Sequence, residues 1–195
     1  MRAAAALLAL ALAALAGCGG GQQAPSPREL TLAEARAQSR AIGAGARYAP
    51  PAAQGPIRDC RRRLGPRIAM HFELFARDRV VIVPLGIGVR GARVGGGGRI
   101  DGARCYGPIV TLDPTGIVLV RPGRARTVGD LMAAWGTPLG ADRMAGFRGR
   151  VRAYVAGHRR HGAAASIPLT RHAEVVLEVG PYVPPHPSYT FPDAL

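Results

Sequence analysis

The stretch RIAMHFELFARDRVVIVP, residues 67–84, sets how the rest of the chain is read. A β-strand turns successive side chains to opposite faces, so Ile68, Met70, Phe72 and Leu74 line one face while His71 and Glu73 share the other. The apolar set predicts a core-facing strand over 67–75. Arg77 and Asp78 then supply a turn, and a second strand over 79–83 ends at Pro84, which has no amide hydrogen for a ladder. The face carrying His71 and Glu73 is either solvated, with the two forming a plain ion pair, or part of a site.

Downstream, GPIVTLDPTGIVLVRPG (107–123) reads as a second hairpin, with apolar strands on either side of Asp113, Pro114, Thr115 and Gly116. The period then changes. TVGDLMAAWG (127–136) has Thr127 as an N-cap, Asp130 three residues on, Val128, Leu131, Met132 and Trp135 on one face, and Gly136 to stop the helix. RVRAYVAG (150–157) alternates with Val151, Ala153 and Val155 inward, and AEVVLEVG (173–180) predicts a last apolar strand over 173–179. The tail PYVPPHPSYTFPDAL (181–195) is too rich in proline for either element and is expected to lie extended across the surface. From residue 108 onward the order is strand, strand, helix, strand, strand. That predicts a single β-rich α+β domain with a β-grasp-like ββαββ core and an extra N-terminal hairpin; a β-sandwich is the alternative. The glycine-rich GIGVRGARVGGGGRIDG (86–102) lacks the ending of a phosphate-binding loop and reads as a flexible connection.

The N-terminus carries an address. MRAAAALLALALAALAGCGGG (1–21) has a single charge at Arg2, an apolar run over 3–16 too short to span a bilayer, and then Cys18. Leu15, Ala16, Gly17 and Cys18 resemble the lipobox of bacterial lipoproteins, so residues 1–17 read as a signal peptide and Cys18 as the lipid-modified first residue. Its acyl chains imply stable anchoring outside the cytoplasm, to the cell membrane or to an outer membrane where one exists. The range 18–56 reads as a flexible stalk containing a short helix over 31–43, begun by Thr31 and Glu34, and 57–195 as the globular domain.

All 26 basic residues are arginine, against 12 acidic ones, for a net charge of +14; without Arg2 the sum is 25 minus 12, or +13. Abundant Arg, Ala, Gly and Pro fit coding bias, so arginine identity says little, but the charge excess predicts attraction to anionic headgroups or wall polyanions. Nucleic acid is disfavoured by the export signal and by the scarcity of aromatics for base stacking. With Cys18 lipidated, Cys60 and Cys105 remain as an even pair in an oxidising compartment and are expected to be bridged.

Several of these stretches resemble an uncharacterised family of extracytoplasmic bacterial proteins whose members read HxHL, VPxGIG, a cysteine, LHTHD, G-I-H-V, TLGQFFDIWG and a histidine before I-V-L-x-V-G. The matching segments here are HFEL (71–74), VPLGIG (83–88), Cys105, IVTLD (109–113), GIVLV (116–120), TVGDLMAAWG (127–136) and HAEVVLEVG (172–180). The family pattern implies a metal site, since imidazoles two apart on facing strands can converge on a divalent ion. This chain departs from it: Glu73, Val110 and Leu112 stand where the pattern has histidines. The candidate ligands that remain are His71, Glu73, Asp113 and His172, with zinc or copper as the ion and no other cofactor implied.

HRRH (158–161) offers two histidines separated by cation-repelling arginines and reads as a solvated hairpin loop, and His186 sits among prolines with no evident role. Ser166 lacks a nucleophile elbow, and no exported thiol is left free. The leading expectation is therefore a non-catalytic envelope lipoprotein presenting a basic β-rich binding domain. The alternatives are a metal-binding protein with a depleted histidine site and, last, a wall-polymer hydrolase pairing Glu73 with Asp113 or Asp101.

Overall fold

A computed structural model of the chain describes residues 46–195 apart from residues 52 and 194. The expected signal, Cys18 and the stalk helix lie outside the described residues. The described chain is a β-rich α+β domain with one α-helix. Its strands are β1 (Arg47–Tyr48), β2 (Ile68–Ala76), β3 (Arg79–Val81), β4 (Val89–Val94), β5 (Ile100–Tyr106), β6 (Ile109–Val110) and β7 (Ile117–Val120). Helix α1 (Val128–Trp135) follows, and then β8 (Arg143–Met144), β9 (Phe147–Arg148), β10 (Val151–Val155), β11 (His158–Arg160) and β12 (Glu174–Val179).

The main sheet runs β1-β3-β2-β12-β10-β11, with β7 also on β2 and β6 on β7. β2 and β12 lie parallel at its centre, His71 opposite Glu174 and Leu74 opposite Leu177. A central parallel pair has both faces covered, and β12 is buried along its whole length, as is β2 after Ile68. The hairpin expected to be an extra, over 67–83, is thus the middle of the sheet. The 109–120 hairpin, expected in the core motif, instead joins β2 at Ile68–His71, on the edge that β3 occupies further along. Residues 47–48, inside the range assigned to the stalk, pair with β3, and the Gln54 side chain donates to the Val89 carbonyl at 2.7 Å.

Helix α1 covers one face. Its residues at helical spacing, Val128, Leu131, Met132 and Trp135, pack on Met70, Phe72, Leu74, Val175 and Leu177, and Trp135 is wholly buried. The expected cap is present in both directions: the Asp130 amide donates to Thr127 Oγ1 at 3.3 Å, and the Thr127 amide donates to Asp130 Oδ2 at 2.9 Å. Gly136 ends the helix in the left-handed region at φ +78.

The opposite face carries Ala69, Ile117 and Leu119 under Tyr189, Phe191 and Leu195 of the tail, and Phe75, Tyr154 and Val176 under Val183. The tail does lie extended, but as a cover.

Two loop expectations are corrected. The glycine-rich segment forms β4 and β5, a two-stranded ribbon, because Val89, Ile100 and Tyr106 have apolar neighbours to pack on. HRRH is mostly an edge strand: β11 pairs with β10 across a turn at Ala156 and Gly157.

Cys60 and Cys105 form the expected disulfide, with Cα atoms 5.5 Å apart. Beside it, Arg61 and Tyr106 exchange backbone hydrogen bonds of 2.9 and 2.8 Å. Arg67 Nη1 donates to the carbonyls of Gly107 and Pro108 at 2.9 and 3.0 Å. Burial, aided by Arg121 and Arg61, pulls the Arg67 guanidinium down to about 10. Among the described residues, no helix is long and apolar enough to cross a membrane.

Candidate metal centre

His71 and Glu73 share a face of β2 as alternation requires, but that face is not solvated: His71 is 0% and Glu73 6% exposed. The central position of β2 and the covering tail bury both side chains, so the plain ion pair on a solvated face expected as one reading is overturned. Parallel pairing sets Glu174, on β12, directly opposite His71. His71 Nδ1 lies 2.8 Å from Glu174 Oε2 and 4.0 Å from Glu73 Oε1. One ligand atom from each of the three residues falls within 4.8 Å of the others.

The imidazole is oriented from behind. His71 Nε2 lies 3.0 Å from the Thr115 carbonyl, which only accepts, so Nε2 carries a proton and donates. Nδ1 then faces the two carboxylates. This is the arrangement in which metal-ligating histidines are commonly held, one nitrogen pinned by a backbone carbonyl and the other presented to the ion. In the metal-free cluster a proton on the 2.8 Å contact satisfies both Nδ1 and Glu174, and a divalent cation can replace it. Burial pushes the Glu174 carboxyl up from 4.5, opposed by its hydrogen bond to His71, and its Oε1 is buried with no partner among the described residues.

The tail closes the cluster. His186 Nδ1 donates to Glu73 at 3.1 and 3.0 Å, to Oε1 and Oε2 respectively, and Tyr189 stacks on His71 with ring centroids 3.8 Å apart. Burial lowers the affinity of His186 for its proton, but its hydrogen bond to Glu73 and the charges of Glu73 and Glu174 outweigh that and raise its pKa above 6.5. A cavity of about 200 Å³ adjoins the cluster, with His71, Glu73, Thr115 and Arg47 among its walls.

The other two expected ligands do not join the three-residue cluster. Asp113 Oδ2 accepts from Arg99 at 2.7 Å, while its Oδ1 accepts from the Thr115 amide at 3.2 Å and from the Thr115 hydroxyl. Its part is to shape the turn that aims the Thr115 carbonyl at His71. Gly116 completes that turn at φ +86, where a Cβ would come within 2.8 Å of both His71 Nε2 and the Phe72 carbonyl oxygen. His172 is exposed, donates through Nε2 to the Leu195 carbonyl at 2.9 Å and stacks on Phe191, so it fastens the end of the tail.

Glu174, His186 and Tyr189 are the site residues that sequence reasoning missed. Glu174 had a signal: it and Glu178 are two acids in a strand whose other residues are apolar, on one face by twofold alternation. His186 and Tyr189 had none, because nothing local says what a proline-rich tail will cover. Comparison with protein-family models, curated proteins and solved structures returned no match.

Proposed function

We propose that this chain is a non-catalytic, lipid-anchored extracytoplasmic protein whose β-rich domain binds a divalent metal ion through His71 Nδ1, Glu73 and Glu174. The observation that carries the reading is the convergence of those three ligand atoms within 4.8 Å. The Thr115 carbonyl behind the imidazole and the Glu174 oxygen without a partner among the described residues support it. One nitrogen and two carboxylates suit a borderline ion such as Zn²⁺, and also Cu²⁺, better than a soft thiophilic one. Buried beneath the tail, the ion would have a protein-enclosed setting that fits retention or structural use better than turnover. For the fold, the order β3-β2-β12-β10-β11, with the first and last of these strands in sequence parallel at the centre and α1 across one face, supports a β-grasp-like reading. In it β2 and β3 are the first hairpin, and β4 to β7 are an insertion.

The test is elemental analysis of the untagged, oxidised full chain, followed by zinc and copper titration. Stoichiometric metal is expected, with affinity falling at least about tenfold in His71→Ala and in Glu174→Gln, the loss that even supporting groups of metal sites typically cause. Absence of metal at micromolar exposure, or affinity unchanged in both variants, would leave the cluster as a hydrogen-bonded clasp for the tail.

A further inference from the structure

The fold brings three arginines that are apart in sequence, Arg62, Arg93 and Arg104, together on the ribbon of β4 and β5. The disulfide and the Arg61–Tyr106 backbone pair hold residues 60–63 beside β5, and Arg62, Arg93 and Arg104 line one shallow groove with Gly91, Ala92 and Ala103. All three arginines are exposed, and none has a carboxylate partner among the described residues. Glycines make the groove: a Cβ at Gly91 would meet the Arg104 side chain at 2.7 Å, and one at Gly102 would collide with the Arg93 guanidinium. The two long side chains therefore lie across the ribbon at its glycines, and both remain exposed to solvent. At the end of β4, next to the 95–98 glycine run, Val94 is 56% exposed, one of two large apolar residues so exposed among those described.

Guanidinium groups beside an exposed apolar tip fit the two layers of a bilayer interface, phosphodiester headgroups over acyl chains. We infer that the β4–β5 ribbon docks on an anionic membrane surface, with Arg62, Arg93 and Arg104 on headgroup phosphates and Val94 at the headgroup–acyl boundary. The inference does not depend on a metal ion, since the ribbon shares no residue with the His71 cluster. A soluble polyanion would engage the arginines but has no use for the apolar tip, which is why the membrane is preferred.

The experiment places an indole at the tip with Val94→Trp in the full chain, reconstituted into neutral phosphatidylcholine vesicles or into vesicles also containing phosphatidylglycerol. Membrane attachment through the N-terminus is then common to both, the wholly buried Trp135 gives a background measured in the parent chain, and the difference reports the ribbon. A blue shift and protection from a water-soluble quencher are expected on the anionic vesicles alone, lost at high salt. Combining Val94→Trp with Arg62→Ser, Arg93→Ser and Arg104→Ser should lower the docking constant about a hundredfold; circular dichroism of that variant checks that the fold is kept. An indole that stays in water on anionic vesicles, or shifts equally on neutral ones, or is unaffected by loss of the arginines, overturns the assignment. So does a shift caused by soluble poly(glycerol phosphate) but not by vesicles, which would make the partner a wall polymer.

Discussion

Glu178 shows how a single side chain pays for its place in a central strand. It is wholly buried, yet among the described residues only Arg152 reaches it with charge, Nε to Oε2 at 3.2 Å, and Arg152 also donates to the carbonyls of Gly180 and Pro181. Burial pushes the Glu178 carboxyl up from 4.5, against the lowering effect of Arg152. A carboxyl raised in the fold holds its proton after the unfolded chain has released its own. Stability therefore falls as pH rises from about 4.5 through the folded value, and then levels off. Glu178→Gln removes that titration, so urea denaturation from acid to neutral pH should show the decline in the parent and a flatter profile in the variant. Parallel profiles would assign the pH dependence elsewhere. The same residue marks what alternation can tell. Glu174, Val176 and Glu178 visibly share one face of a strand, but whether that face meets water or a cover depends on residues far away in the chain.

At the scale of elements, α1 and the tail are opposites. The helix is written locally: Thr127, Asp130 and Gly136 state its ends, and its apolar spacing states its buried face. The tail has no regular structure of its own, and its place comes from contacts at His186, Tyr189, Phe191 and Leu195. His186→Ala removes the hydrogen bonds to Glu73 and leaves that carboxylate buried without its imidazole. Backbone amides of residues 182–195 should then exchange with deuterium at least about fivefold faster, the equivalent of losing about 1 kcal/mol of local closing free energy, while α1 amides keep their parental rates. Unchanged tail exchange would show that the aromatic stacking suffices to hold it. The ribbon of β4 and β5 makes a third case. Its glycines look like a loop in sequence because glycine is depleted in strands, whereas here they admit the arginines crossing above them.

For the whole molecule, the disulfide is the long-range constraint with the clearest magnitude. It joins residues 45 apart and anchors the segment before β2 to the end of β5. Closing a loop of that length lowers the entropy of the unfolded chain by an amount worth about 4 kcal/mol. Replacing both cysteines, Cys60→Ser with Cys105→Ser, should cost most of that in chemical denaturation. A loss below about 1 kcal/mol would mean that the Arg61–Tyr106 pairing and the Arg67 bonds already hold the segment. If ribbon docking depends on the same staple, its salt-sensitive indole signal should weaken in this variant too.

By itself the sequence determined the local elements: the first hairpin with its turn at Arg77 and Asp78, the hairpin around Asp113, the capped helix, the last apolar strand and the cysteine pair. Each rests on side-chain period, turn chemistry or cysteine parity, all of which operate over a few residues or need no geometry. Tertiary structure alone decided that β2 lies beside β12, 103 residues separating His71 from Glu174, and that the tail shuts the face they share. It also redirected Asp113 to the turn and His172 to the chain end. The physical reason is that alternation says which side chains point together along one strand but carries no information about which strand comes alongside. A parallel neighbour reached through a long connection leaves no local trace of its register, and that register is what turns two separated acids and an imidazole into one candidate site.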